Sequence, residues 1–87
     1  MLKKSFVIEN KQGLHVRPAG VLVKAIKDFD SSIKINHNDK IIEAKSLLGI
    51  MGACIKCGDT IEFQVDGSDE NEAMKAIEEV IESGLGE

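Results

Sequence analysis

His15 lies in the stretch Gly13-Leu14-His15-Val16-Arg17-Pro18-Ala19, which sets a nucleophile and a phosphate-matching cation beside a proline that opens a helix. Proline fits the first helical turn because its missing N–H would have no partner there. A helix start presents unpaired N–H groups and roughly half a positive charge, so an anion attached to the imidazole would find donors waiting. The same positive end disfavours an imidazolium and leaves the neutral ring, which is the nucleophilic form. Arg17 is the single arginine beside ten lysines. Its planar fork matches phosphate oxygens in a way that an ammonium does not. The string also fits a histidine that only caps the helix and an arginine that is only solvated, and its spacing does not separate the two.

Magnitudes limit the chemistry. A helix terminus contributes about 0.3–2 kcal/mol to a favourable charge, and a charge-assisted hydrogen bond roughly 1.5–3 kcal/mol. Full catalysis requires about 8–23 kcal/mol. These groups can hold a phosphoryl group but cannot drive a demanding reaction alone, which favours a carrier over an enzyme.

Other reactive residues carry less. Ser46 stands where a hydroxyl would cap a short helix bearing Leu47, Ile50 and Met51. Cys54 and Cys57 have CxxC spacing, yet they follow a helix end, where the dipole opposes a thiolate. A closed zinc site needs four ligands, and no second CxxC or paired-histidine motif accompanies them, so ordinary thiols and no metal or cofactor are expected. His37, in a hairpin turn, is expected to be solvated.

The elements that must position these residues read clearly. Leu2 to Ile8 suits a strand, broken by Gln12-Gly13. Ala19, Leu22, Val23 and Ile26 form one stripe of an amphipathic helix, with Lys24, Lys27 and Asp28 off it. Ile33 and Ile35 alternate with polar residues, and Asn38-Asp39 turns the chain into a short Ile41-Ile42 strand. Ile61, Phe63 and Val65 alternate with Glu62, Gln64 and Asp66. Asp69 with Glu72 reads as a capping box opening a helix with Ala73, Ala76, Ile77, Val80 and Ile81 on one face, stopped at Gly84. The order βαββαβα, with one polar face per strand, predicts an α+β open-faced sandwich: a four-stranded antiparallel sheet carrying three helices on one side.

The whole chain bounds the function. Its 87 residues suffice for one domain, residues 1–87, with a core too small for separate substrate and cofactor compartments. It is 43% hydrophobic and 30% charged, the balance of a globular chain. Aromatic residues are only 3%, leaving no platform for base stacking, and the net charge of −4 argues against direct nucleic-acid or anionic-membrane binding. That charge is split: residues 1–57 carry net +5 and residues 58–87 net −9. The positive part suits anionic partners or phosphate, although a solvated acidic last helix accounts for the split as well. The start MLKKSFVIENK lacks the apolar run of a signal peptide, and no stretch could span a bilayer, so no membrane insertion and a cytoplasmic location are expected.

Three segments, Gly13 to Ala19, Lys45-Ser46-Leu47-Leu48-Gly49-Ile50-Met51-Gly52 and Asp66-Gly67-Ser68-Asp69-Glu70, resemble the signatures of the HPr family, the histidine-containing phosphocarriers of the bacterial sugar phosphotransferase system. The resemblance covers essentially the whole chain with matching spacing. It implies that His15 accepts a phosphoryl group on Nδ1 from phospho-enzyme I and passes it to enzyme IIA domains, with Arg17 steadying it. It implies that Ser46 is phosphorylated by an HPr kinase/phosphorylase, and that Leu47, Leu48 and Met51 form a docking patch for these partners and for a catabolite repressor. The family commonly has Ala at the place of Val16, and Thr, Ser or Ala at that of Gly20, so these two positions bear on partner preference. The alternative is a purely regulatory binding module read through phosphorylated Ser46; relatives specialised that way lack the acceptor histidine that this chain retains.

Overall fold

The computed structural model describes all residues from Met1 to Glu87. Its elements follow the expected order: β1 (Leu2–Val7), α1 (Val16–Ile26), β2 (Ser32–His37), β3 (Lys40–Glu43), α2 (Leu47–Gly52), β4 (Thr60–Asp66) and α3 (Glu70–Glu82). The strands form one sheet in the order β1-β4-β2-β3, and every neighbouring pair is antiparallel. β2 and β4 sit in the middle because they alternate most regularly: Ile33, Ile35, Ile61, Phe63 and Val65 are buried on one face, while Lys34, Glu62 and Gln64 take the other. The registers Ile35↔Phe63 and Ile35↔Ile42 place these apolar side chains side by side under the helices. Ala19, Leu22 and Ile26 of α1 and Ala73, Met74 and Ile77 of α3 complete the core.

The β2–β3 connection is the two-residue turn Asn38-Asp39, both with positive φ (53° and 65°). That twist matches the twist of the flanking strands, and Asn and Asp tolerate it better than most residues.

Two expectations need correction. Asp69 precedes α3, but its side chain makes no cap bond. Its carboxylate instead accepts from the amides of Asp30 (2.8 Å) and Ser31 (2.9 Å) and from the Ser31 hydroxyl, tying the start of α3 to the α1–β2 loop. Glu70, not Glu72, reaches back, accepting from the Gly67 amide at 3.1 Å. Gly67 must be glycine here: its φ is +156°, and a Cβ would lie 2.6 Å from the Ser31 Cα. His37 is the second correction. It ends β2 with its ring buried, and Nε2 lies 2.9 Å from Asp59 Oδ2, because the β2 register turns the ring inward toward the α2–β4 loop. On α3, Met74 joins the buried face, whereas Ala76, Val80 and Ile81 are only partly covered.

Candidate functional site

The site begins with a turn. Gly13 takes φ +69°, and a Cβ there would lie 2.2 Å from the Ile55 carbonyl oxygen, so only glycine lets this loop press against the α2–β4 segment. The contact is sealed by the Leu14 amide donating to Ile55 O at 3.0 Å, with Leu14 itself buried. Clamped on both sides, the chain emerges at His15 in an extended conformation and turns into α1.

His15 occupies the N-cap position, yet its side chain makes no capping bond, which removes the cap-only reading. Among the first amides of the helix, Pro18 has no N–H, and Ala19 donates to the His15 carbonyl at 3.0 Å. The N–H groups of Val16 and Arg17 have no partner within the chain. Arg17 is exposed and its guanidinium makes no hydrogen bond or ion pair. It lines the same groove as His15, Asn10, Lys11 and Glu87. Two free amides at the helix start and a free guanidinium lining the same groove thus accompany one partly exposed imidazole, a set of groups suited to the oxygens of a phosphoryl group.

The imidazole is held from its far side. Nε2 lies 3.0 Å from Oε2 of Glu87, and both side chains are 29% exposed. Nδ1 makes no hydrogen bond within the chain. Asn10 Nδ2 donates to Glu87 Oε1 and to the Gly84 carbonyl, each at 3.0 Å, and the Asn10 carbonyl accepts from the Gly13 amide at 2.8 Å. The Asn10 amide, joined by His15 and the Arg17 charge, holds the Glu87 carboxyl below the usual carboxylate range. Sequence reasoning passed over Asn10 and Glu87. Glu87 stands 72 positions from His15, and no spacing rule connects them.

Ser46 caps α2 as expected, its Oγ accepting from the Gly49 amide at 3.0 Å. Around it, Leu48 is 85% exposed and Leu47 and Met51 are 38% and 37% exposed, while Ile50 is fully buried. Val16, at the start of α1, is 59% exposed, and α1 and α2 pack on each other. Gly20 lies within α1, and a Cβ there would meet nothing within 4 Å. Cys54 and Cys57 are free and exposed, and no group of three His, Cys, Asp or Glu side chains could hold a metal ion. No helix is long and apolar enough to cross a membrane.

Residues 2–83 match the family described as the PTS HPr component phosphorylation site. The phosphocarrier protein HPr of Neisseria meningitidis is 38% identical over 87 residues, covering all of this chain and 98% of its own. A multiphosphoryl transfer protein of Haemophilus influenzae is 39% identical over 85 residues, but this chain spans only 17% of its length. Among solved structures, HPr-C-His from Thermoanaerobacter tengcongensis superposes with a TM-score of 0.94 at 39% identity, covering 100% of this chain and 98% of that one.

Proposed function

Since the chain belongs to the HPr family, the phosphocarriers of the phosphotransferase system, we propose that it carries its phosphoryl group on Nδ1 of His15, between enzyme I and enzyme IIA domains. The Nδ1 lone pair forms the new N–P bond, while the bond to the donor breaks and its electron pair stays on the donor. Onward transfer is the same step reversed with a new acceptor. Arg17 and the amides of Val16 and Arg17 hold the phosphoryl oxygens. The observation that carries this reading is the conjunction at one helix tip of an uncapped histidine with two unpartnered amides and an unpaired guanidinium. No turnover is assigned to the chain, because these groups stabilise bound charge by a few kcal/mol and leave the rest of the barrier to the partner's active site.

Val16, Gly20, Leu47, Leu48 and Met51 form the docking surface, so that partners grip the apolar patch while reaching His15. Exposed apolar side chains grouped beside one another, rather than scattered singly, are the pattern of an interaction surface. Leu48→Asp is expected to weaken enzyme I binding in titration calorimetry while shifting stability by no more than about 0.5 kcal/mol, as befits an exposed site; unchanged binding would remove the patch. Ser46 is the regulatory site, modified by an HPr kinase/phosphorylase and read by a catabolite repressor. A phosphate there sits at a helix start and on the docking surface at once, so it stabilises α2 while repelling acidic partner groups. The whole chain acts as one cytoplasmic module.

Incubation with enzyme I and phosphoenolpyruvate, followed by intact-mass measurement before and after mild acid, tests the carrier reading. One acid-labile phosphoryl group per chain is expected; an acid-stable adduct, or none, contradicts it.

A further inference from the structure

The carrier reading leaves the Asn10–Glu87–His15 chain of hydrogen bonds without a role. We infer that Glu87 is a positioning residue: it keeps the ring proton on Nε2, and thereby keeps the Nδ1 lone pair free and aimed at the incoming phosphorus. A carboxylate oxygen only accepts, so at 3.0 Å from Nε2 it is satisfied by the tautomer that carries hydrogen there. The alternative tautomer would set a lone pair against a carboxylate and a proton on the atom that must attack.

Glu87 is itself held in place. Its other oxygen takes the Asn10 side-chain N–H, and the same amide group grips the Gly84 carbonyl. Asn10 also closes the turn leading to Gly13 through its own carbonyl. One asparagine thus joins the loop that presents His15 to the segment that presents Glu87. The charged groups lining the same groove are Glu9, Lys11, Arg17 and Glu82. Arg17 draws on the Glu87 carboxylate through space without bonding to it, so the guanidinium stays available for the phosphoryl oxygens.

The arrangement also serves the loaded state. When Nδ1 gains phosphorus the proton stays on Nε2, so the ring becomes a phosphoimidazolium whose charge faces the Glu87 carboxylate 3.0 Å away. The carboxylate stabilises that cation, whose Nδ1–P bond breaks most readily on transfer because the departing ring leaves neutral.

This inference rests on His15 being the phosphoryl carrier, and its test separates the two claims. At pH about 8.5, roughly two units above ordinary imidazole titration, the ring ¹⁵N shifts of His15 are measured in wild type, Glu87→Gln, Glu87→Leu and Asn10→Ala. Well-separated Nδ1 and Nε2 shifts are expected in wild type. They converge in Glu87→Leu, less so in Glu87→Gln, which keeps an acceptor oxygen, and in the same direction in Asn10→Ala. Phosphorylation by enzyme I and phosphoenolpyruvate is expected to slow about two- to fivefold in Glu87→Leu, through kcat rather than KM, the size of an exposed charged contact. Identical ring shifts in wild type and Glu87→Leu overturn the inference even where His15 is labelled normally. Shifts that respond in a wild type which enzyme I never labels support the ring lock and overturn the carrier reading instead.

Discussion

Arg17 differs from the ten lysines in one respect that matters at the site, the geometry of its donors. A lysine can supply the same charge but not two parallel N–H bonds to neighbouring oxygens. Arg17→Lys is therefore expected to slow phosphorylation of His15 by enzyme I about tenfold, and Arg17→Ala more, as loss of a charge-assisted bond worth roughly 1.5–3 kcal/mol implies. Quenched-flow labelling measures this; a lysine variant as fast as wild type would leave Arg17 a solvated side chain. At this scale the sequence was readable where the candidate residues are neighbours. His15, Arg17 and Pro18 lie in one short stretch, and the helix tip follows from the proline alone. Asn10 and Glu87 were not readable, because their meeting is made by α3 folding back across the sheet. His37 was misjudged for the same reason: its partner Asp59 comes from another loop, and a turn-flanking histidine carries no mark of that.

Among the elements, α1 carries both the site and a weakness. Gly20 lies inside the helix with open space where a side chain would go, and glycine there costs backbone entropy that alanine would not. Gly20→Ala is expected to raise stability by about 0.5–1 kcal/mol, read from the urea midpoint at constant slope; a destabilised variant would mean that the backbone at this position is not ordinary helix. The hydrophobic periodicities of α1, β2 and β4 predicted these elements well because each buries one continuous face. The cap of α3 was predicted wrongly. Asp69 has the right type and place for a capping box, but the three donors offered by Asp30 and Ser31 outcompete the local bond. Local propensity decides an end only where no tertiary partner bids for the same oxygen.

Across the whole molecule, several acidic groups staple distant segments. Ser31 and Asp30 hold the Asp69 carboxyl below the usual range, the Lys56 amide and then His37 do so for Asp59, the Gly67 amide for Glu70, and Asn10 for Glu87. A carboxyl depressed by folding adds stability that is complete above its ordinary range and is lost as pH falls through its lower folded-state value. Stability is therefore expected to be level above about pH 5 and to decline steadily toward pH 3 and below. Asp69→Asn should be less stable than wild type at pH 7 and should lose less on acidification, because it no longer has a proton to gain. Urea titrations at pH 7 and pH 3 check both, and equal acid losses in the two proteins would show that the Asp69 staple does not respond to pH. The charge asymmetry, net +5 over residues 1–57 and net −9 over residues 58–87, places most of the basic groups in the part of the chain that includes the proposed phosphoryl site.

The central claim is that one imidazole carries the cargo, and peptide mapping tests it most directly. Wild type and His15→Ala are incubated side by side with enzyme I and phosphoenolpyruvate, then digested at neutral pH and sequenced by mass spectrometry. The account predicts phosphate on the peptide containing His15 in wild type and no acid-labile phosphate anywhere in the variant. Acid-labile phosphate on the His15→Ala chain, whether on His37 or elsewhere, would contradict it.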